Sequence, residues 1–104
     1  MTYPALPAAS LPQLKMHRIE VSPAAERDLY KLHERIRQED FELITSLIST
    51  LASKPRPQGV RKIKGEANTY RIRAGHYRII YDIYDRQKLV VLLNVSRRSE
   101  TTYK

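Results

Sequence analysis

The chain has 104 residues, 41% of them hydrophobic, with 19 Lys and Arg against 11 Asp and Glu and a net charge of +8. That is one domain's worth of chain with enough apolar content for a core, and the basic surplus points to nucleic acid or an acidic protein as partner. Cysteine is absent, which excludes disulfides and thiolate chemistry and suits the reducing cytoplasm, and no apolar run approaches the ~18 residues of a membrane span.

Residues 1–15, MTYPALPAASLPQLK, hold three of the six prolines and lack the basic start and apolar stretch of a secretory signal. They read as a flexible Pro-rich extension ahead of a domain over residues 16–104, and Met16 offers an alternative translation start. Next, LKMHRIEVS alternates, with His17, Ile19 and Val21 on one side and Arg18 and Glu20 on the other. This is the period of a strand.

Ser22 and Pro23 then mark a helix start, as N-cap and first-turn residue, with Glu26 near the positive helix end. Ala25, Leu29, Leu32 and Ile36 follow at spacings that form one helix face. A polar break, RQED, separates this from a second helical stripe of Phe41, Ile44, Ile48 and Leu51, widened by Leu43 and Leu47. Pro55, Pro57 and Gly59 end it. Helices joined so closely pack as a hairpin.

Beyond Gly65 the period falls to 2. Tyr70, Ile72 and Ala74 alternate with Arg71 and Arg73; Gly75 provides a turn; Tyr77, Ile79, Tyr81 and Ile83 alternate with Arg78, Ile80, Asp82 and Tyr84. DRQ, residues 85–87, is a second tight connection, and KLVVLLNVS reads as a central strand buried on both faces. The expectation is an α+β, two-layer β-α-α-β-β-β fold, with the helical hairpin covering one face of a sheet built on an antiparallel meander.

Motifs for metal hydrolysis, nucleotide cradling or dinucleotide binding are missing. His17, His33 and His76 lack metal-ligand spacing, and no Ser has an acid and histidine in a recognisable arrangement, so neither a metal nor another cofactor is expected. What remains is basic: Arg61, Lys62, Lys64, Arg71, Arg73 and Arg78, interrupted only by Glu66, then Arg97 and Arg98 at the end of the last strand and Tyr103 beyond. Arg71 and Arg73 lie on one side of their strand, ~7 Å apart, and guanidinium groups match phosphate oxygens. Each position also has a plainer reading: a solvated strand face for Arg71 and Arg73, an ion pair with Asp82 for Arg78, a solvated strand end for Arg97 and Arg98, and light packing for Tyr103.

KIKGEANTYRIRAGHYRIIYDI followed by VVLLNVSRRSETTY resembles the RelE/ParE superfamily of bacterial toxins, over roughly Met16 to Tyr103. The resemblance implies the toxin of a type II toxin–antitoxin system. RelE-like members cleave mRNA in the ribosomal A site; ParE-like members act on DNA gyrase without the nuclease residues; an inactive relative would only bind its antitoxin. Carried over by motif, the RelE cleaving set falls on Arg71, Arg73, Arg78, Arg98 and Tyr103, with Arg61, Lys62, Lys64 and Arg97 as flanking RNA and ribosome contacts.

The implied chemistry needs no metal. The RNA 2′-OH attacks the adjacent phosphate, Arg73 and Arg78 stabilise the transition state, Arg98 serves the leaving 5′ oxygen, and Tyr103 stacks on a base. Where many relatives have a lysine this chain has Arg71, which cannot lose its proton as a general base. The base then falls to Tyr103, to a ribosomal group or to His76. The implied partners are a cognate acidic antitoxin, the ribosome with its mRNA, and operator DNA through the antitoxin; a cytoplasmic protein without membrane contact is expected.

Overall fold

The computed structural model describes residues 16–98. Seven elements follow in order: β1 (Arg18–Val21), α1 (Pro23–Arg35), α2 (Gln38–Thr50), β2 (Arg61–Lys62), β3 (Thr69–Ala74), β4 (Tyr77–Tyr84) and β5 (Leu89–Arg97). The strands form one sheet in the order β1-β5-β4-β3-β2. All pairings are antiparallel except that of β1 with β5, where Ile19 faces Val90 in parallel register. The α+β, two-layer expectation holds, with the two-residue edge strand β2 added to it.

Local chemistry sets the helix boundaries. The Ser22 hydroxyl accepts from the Ala25 N–H at 3.1 Å, and Pro23 occupies the first turn, so a donor left unpaired by the helix start is satisfied. The polar break is shorter than RQED suggests: only Ile36 and Arg37 separate the helices, and Glu39 and Asp40 form the first turn of α2. Acidic side chains are favourable at that end of a helix, so their polarity reports position within the turn rather than a loop.

The core lies between the helices and one sheet face. Ala25 from α1, Ile44 and Leu51 from α2, and Ile79, Tyr81, Val90 and Leu92 from the sheet are all fully buried. Each large aliphatic there contributes about 1.5–3 kcal/mol by leaving water. Leu43 departs from the expected stripe and is 47% exposed; it leans on the β3–β4 turn, where a Cβ added to Gly75 would stand 3.2 Å from its Cδ2. Gly75 has φ +62, which glycine adopts at little cost.

The β5 strand is not buried on both faces. Val90, Leu92 and Val95 are buried, whereas Leu89, Val91 and Leu93 remain half-exposed, because both helices lie on the same side of the sheet. A bulge also interrupts its pairing with β4: Tyr81 faces Leu92, but Ile80 faces Asn94, leaving Leu93 as the extra residue. Asp28 of α1 meets the bulge, its Oδ2 accepting from the Val95 N–H and from Asn94 Nδ2, both at 2.9 Å.

The far end of the sheet is tied by a separate network. Arg56 donates to both Asp85 carboxylate oxygens, at 3.2 and 2.8 Å, and its guanidinium lies 5.1 Å from the Tyr70 ring centre. His17 Nε2 lies 3.1 Å from Asp85 Oδ1, and Tyr81 donates to the Pro55 carbonyl at 2.7 Å. The Arg56 hydrogen bonds hold the Asp85 carboxyl below the usual carboxylate range, and burial pushes the Tyr81 phenol up. This clamp fixes the proline-containing segment that leads into β2.

Candidate nucleic-acid interface

Strand pairing decides which basic side chains share a face. Ile72 and Ala74 of β3 and Tyr77 and Ile79 of β4 are buried beneath the helices, so the alternating Arg71, Arg73 and Arg78 stand on the open face. Arg73 lies directly opposite Arg78, and Arg78 directly opposite Ser96 of β5. Arg61 of β2 lies opposite Arg71. Paired residues are about 4.5–5.5 Å apart at their Cα atoms, so this row of arginines spans the sheet from β2 to β4.

The bulge sets the β5 end of the row. Uninterrupted pairing through Tyr81 and Leu92 would bring Val95 opposite Arg78. With Leu93 as the extra residue, Ser96 takes that place and Arg97 faces Tyr77, its guanidinium 5.9 Å from the tyrosine ring centre. The Arg98 N–H donates to the His76 carbonyl at 2.9 Å, and Arg98 Nη1 reaches the Gly75 carbonyl at 3.4 Å. The end of β5 is thereby fastened to the β3–β4 turn.

Two clefts result. One, of about 450 Å³, is lined by His76, Arg78, Arg97 and Arg98. The other, of about 310 Å³, is lined by Gln58, Gly59, Arg61, Arg71, Ile72 and Arg73. The directly paired Arg73 and Arg78 link them. Among the described residues none of these arginines has an acidic partner; Asp82 instead accepts from the Thr69 and Tyr84 hydroxyls, so the alternative ion pair of Arg78 with Asp82 does not form. The buried Arg78 Nε and its neighbour Ser96 Oγ have no hydrogen-bond partner among the described residues. Buried polar groups are rarely left so.

The predicted residues thus divide. Arg71, Arg73, Arg78 and Arg98 come together with Arg61 and Arg97 around the two clefts. Lys62 faces Tyr70 on the helix side of the sheet and, with Lys64 and Glu66, lines a separate depression. Tyr103 lies outside the described residues. Ser96 and Gln58 were not anticipated: a bulge is needed to bring the first opposite Arg78, and the second sits in an irregular segment. No group of His, Asp and Glu able to hold a metal occurs among the described residues, and none of their helices is long and apolar enough to cross a membrane.

Comparison with known proteins identifies the fold and the family. A curated archaeal protein from Methanocaldococcus jannaschii, "Putative toxin RelE1", is 29% identical over 84 residues, covering 71% of this chain and 92% of the relative. The toxin in the RelBE2 toxin–antitoxin complex of Mycobacterium tuberculosis has 26% identity and a TM-score of 0.66, over 80% of this chain and 99% of that one. The archaeal RelE–RelB complex of Pyrococcus horikoshii OT3 gives 21% identity and a TM-score of 0.68, over 83% of this chain and 99% of that one, and shows the shared fold. The family model described as "ParE toxin of type II toxin-antitoxin system, parDE" matches residues 19–102, and the chain therefore belongs to the RelE/ParE superfamily of type II toxins.

Proposed function

We propose that this toxin is a ribosome-dependent endoribonuclease that cuts mRNA in the A site by attack of the RNA 2′-OH on the adjacent phosphate. The observation that carries the reading is the open-face pair of Arg73 and Arg78, with Arg98 beside it and no acidic partner for any of the three among the described residues. In this reading Arg73 and Arg78 bind the scissile phosphate and stabilise the charge that grows in its transition state. Arg98 offsets charge on the leaving 5′ oxygen, while Arg61, Arg71 and Arg97 hold neighbouring phosphates. Tyr103 stacks on a base, and Lys62 and Lys64 contact the ribosome from the sheet edge. The products are a 2′,3′-cyclic phosphate and a 5′-OH end.

An acidic antitoxin covers this surface in the resting cell, as the net charge of +8 favours, and operator DNA is reached through the antitoxin. The helical hairpin offers it a second foothold, a largely apolar groove lined by Val21, Leu29, Tyr30, His33 and Phe41 with Glu26 among them, and with Tyr30 67% exposed. The relative from M. tuberculosis was solved in a toxin–antitoxin complex, and that from P. horikoshii in a RelE–RelB complex.

The test is a purified translation reaction with mRNA ends mapped by primer extension. Cleavage at the A-site codon only when ribosomes are present, reduced about 10²–10³-fold in Arg78→Ala, is the expected result. Intact mRNA overturns it. The match to a ParE family model favours the second reading, a gyrase poison, which predicts loss of DNA supercoiling activity that Arg78→Ala leaves unchanged. A chain that arrests neither process yet binds the antitoxin is the inactive relative.

A further inference from the structure

We propose that His76 is the base that takes the 2′-OH proton in this site, an inference that rests on the ribonuclease reading above. The cleft at the β3–β4 turn is lined by His76, Arg78, Arg97 and Arg98. Attack on the phosphate requires an acceptor for the nucleophile's proton, and a guanidinium has none. Among the described residues that line this cleft, His76 alone carries a side chain of the kind that accepts a proton in general-base catalysis.

The three histidines have different surroundings. His17 is largely buried and bonded to Asp85 at 3.1 Å. His33 packs on Phe41 with ring centres 4.8 Å apart. The His76 side chain is exposed and has no hydrogen-bond, ion-pair or ring partner among the described residues, while its backbone is held by the bond from Arg98 N to its carbonyl. A fixed backbone with a free imidazole beside phosphate-binding arginines is the arrangement a proton acceptor needs.

The charged groups around it are Arg78 from β4, Arg97 and Arg98 from the end of β5, and Arg73 opposite Arg78 on β3; α2 approaches the turn with the uncharged Leu43. In the step, the 2′-O–H proton passes to the His76 ring as the 2′ oxygen bonds to phosphorus. The bond from phosphorus to the 5′ oxygen breaks, and that oxygen takes a proton from solvent. The imidazolium returns its proton to solvent, so the reaction is a transesterification that consumes nothing.

The experiment uses the full chain on mRNA-programmed ribosomes and measures single-turnover cleavage between about pH 5 and 8, for wild type, His76→Gln and His76→Ala. The expected result is a wild-type rate that declines toward acid. Both variants lose that limb and about 10²–10⁴-fold in rate, and added imidazole restores His76→Ala. Rescue and the lost limb would not follow from damage to the turn. Wild-type cleavage with His76→Ala as fast, or slowed with an unchanged pH profile and no rescue, overturns this inference alone. A wild-type protein that leaves ribosomal mRNA intact overturns the ribonuclease reading and His76 with it.

Discussion

Asp28→Ala removes the side chain that joins α1 to the β5 bulge. Two hydrogen bonds are lost, from the Val95 N–H and the Asn94 amide, each 2.9 Å long in the native protein. Asn94 is half-exposed, so its amide turns to water and only the net worth of its bond, about 1 kcal/mol, is lost. Val95 is 2% exposed, so its N–H stays buried without an acceptor, a penalty of about 1–3 kcal/mol, and with the lost carboxylate bond to Asn94 the total is about 2–4 kcal/mol. For a domain this size that lowers Tm by roughly 10–25 °C. Urea unfolding measures it as a lower midpoint at unchanged slope, and hydrogen exchange shows faster loss of the Val95 amide proton. Asp28→Asn keeps a neutral acceptor and falls between. A change below about 0.5 kcal/mol, the usual effect of a surface substitution, with the Val95 amide still protected, would refute the argument and leave strand register alone holding the bulge.

Two further outcomes test the site and the clamp. Arg71→Lys replaces a planar fork beside Arg61 with a point charge; loss of one charge-assisted bond, about 1.5 kcal/mol, lowers mRNA cleavage roughly tenfold, and faster cleavage would instead show that a base is wanted there. Asp85→Asn, at a side chain 58% exposed, costs about 0.5–1 kcal/mol at neutral pH. Because the native Asp85 carboxyl ionises below its ordinary value, that difference is present above about pH 4 and vanishes as pH falls through the lowered native value. Unfolding free energies across this range check it, and a pH-independent difference would show that Arg56 and His17 do not act on its charge.

The sequence made the elements readable because each is signalled within a few residues. Ser22 and Pro23 start α1, the alternation from Tyr70 to Tyr84 defines β3 and β4, and Gly75 marks their turn. The same alternation placed Arg71 and Arg73 on one face, and the pairing of Arg73 with Arg78 brings the third arginine to it. What was not readable depends on partners far along the chain. The bulge at Leu93 is met by Asp28, 67 positions from Val95, and it is invisible in the run LVVLLNV, which reads as a strand buried on both faces. β2 is too short to show a period, and only its pairing with β3 reveals that Arg61 and Lys62 point to opposite sides. Leu43 fits a helix stripe by spacing, but the stripe is wider than the sheet surface beneath it.

The parallel pairing of β1 with β5 also makes the sheet one of the last parts of the molecule to be completed. β1 is among the first described residues to be synthesised, and β5, which carries Ser96, Arg97 and Arg98, is among the last. Joining them closes a loop of about 70 residues, the kind of distant contact that forms late. Until the final strand is in place, β4 has an unpaired edge and Arg78 has Arg73 on one side but not Ser96 on the other. A chain at that stage has the arginines of β2, β3 and β4 but not the Ser96, Arg97 and Arg98 end of the surface, so the cleft at the β3–β4 turn is completed last.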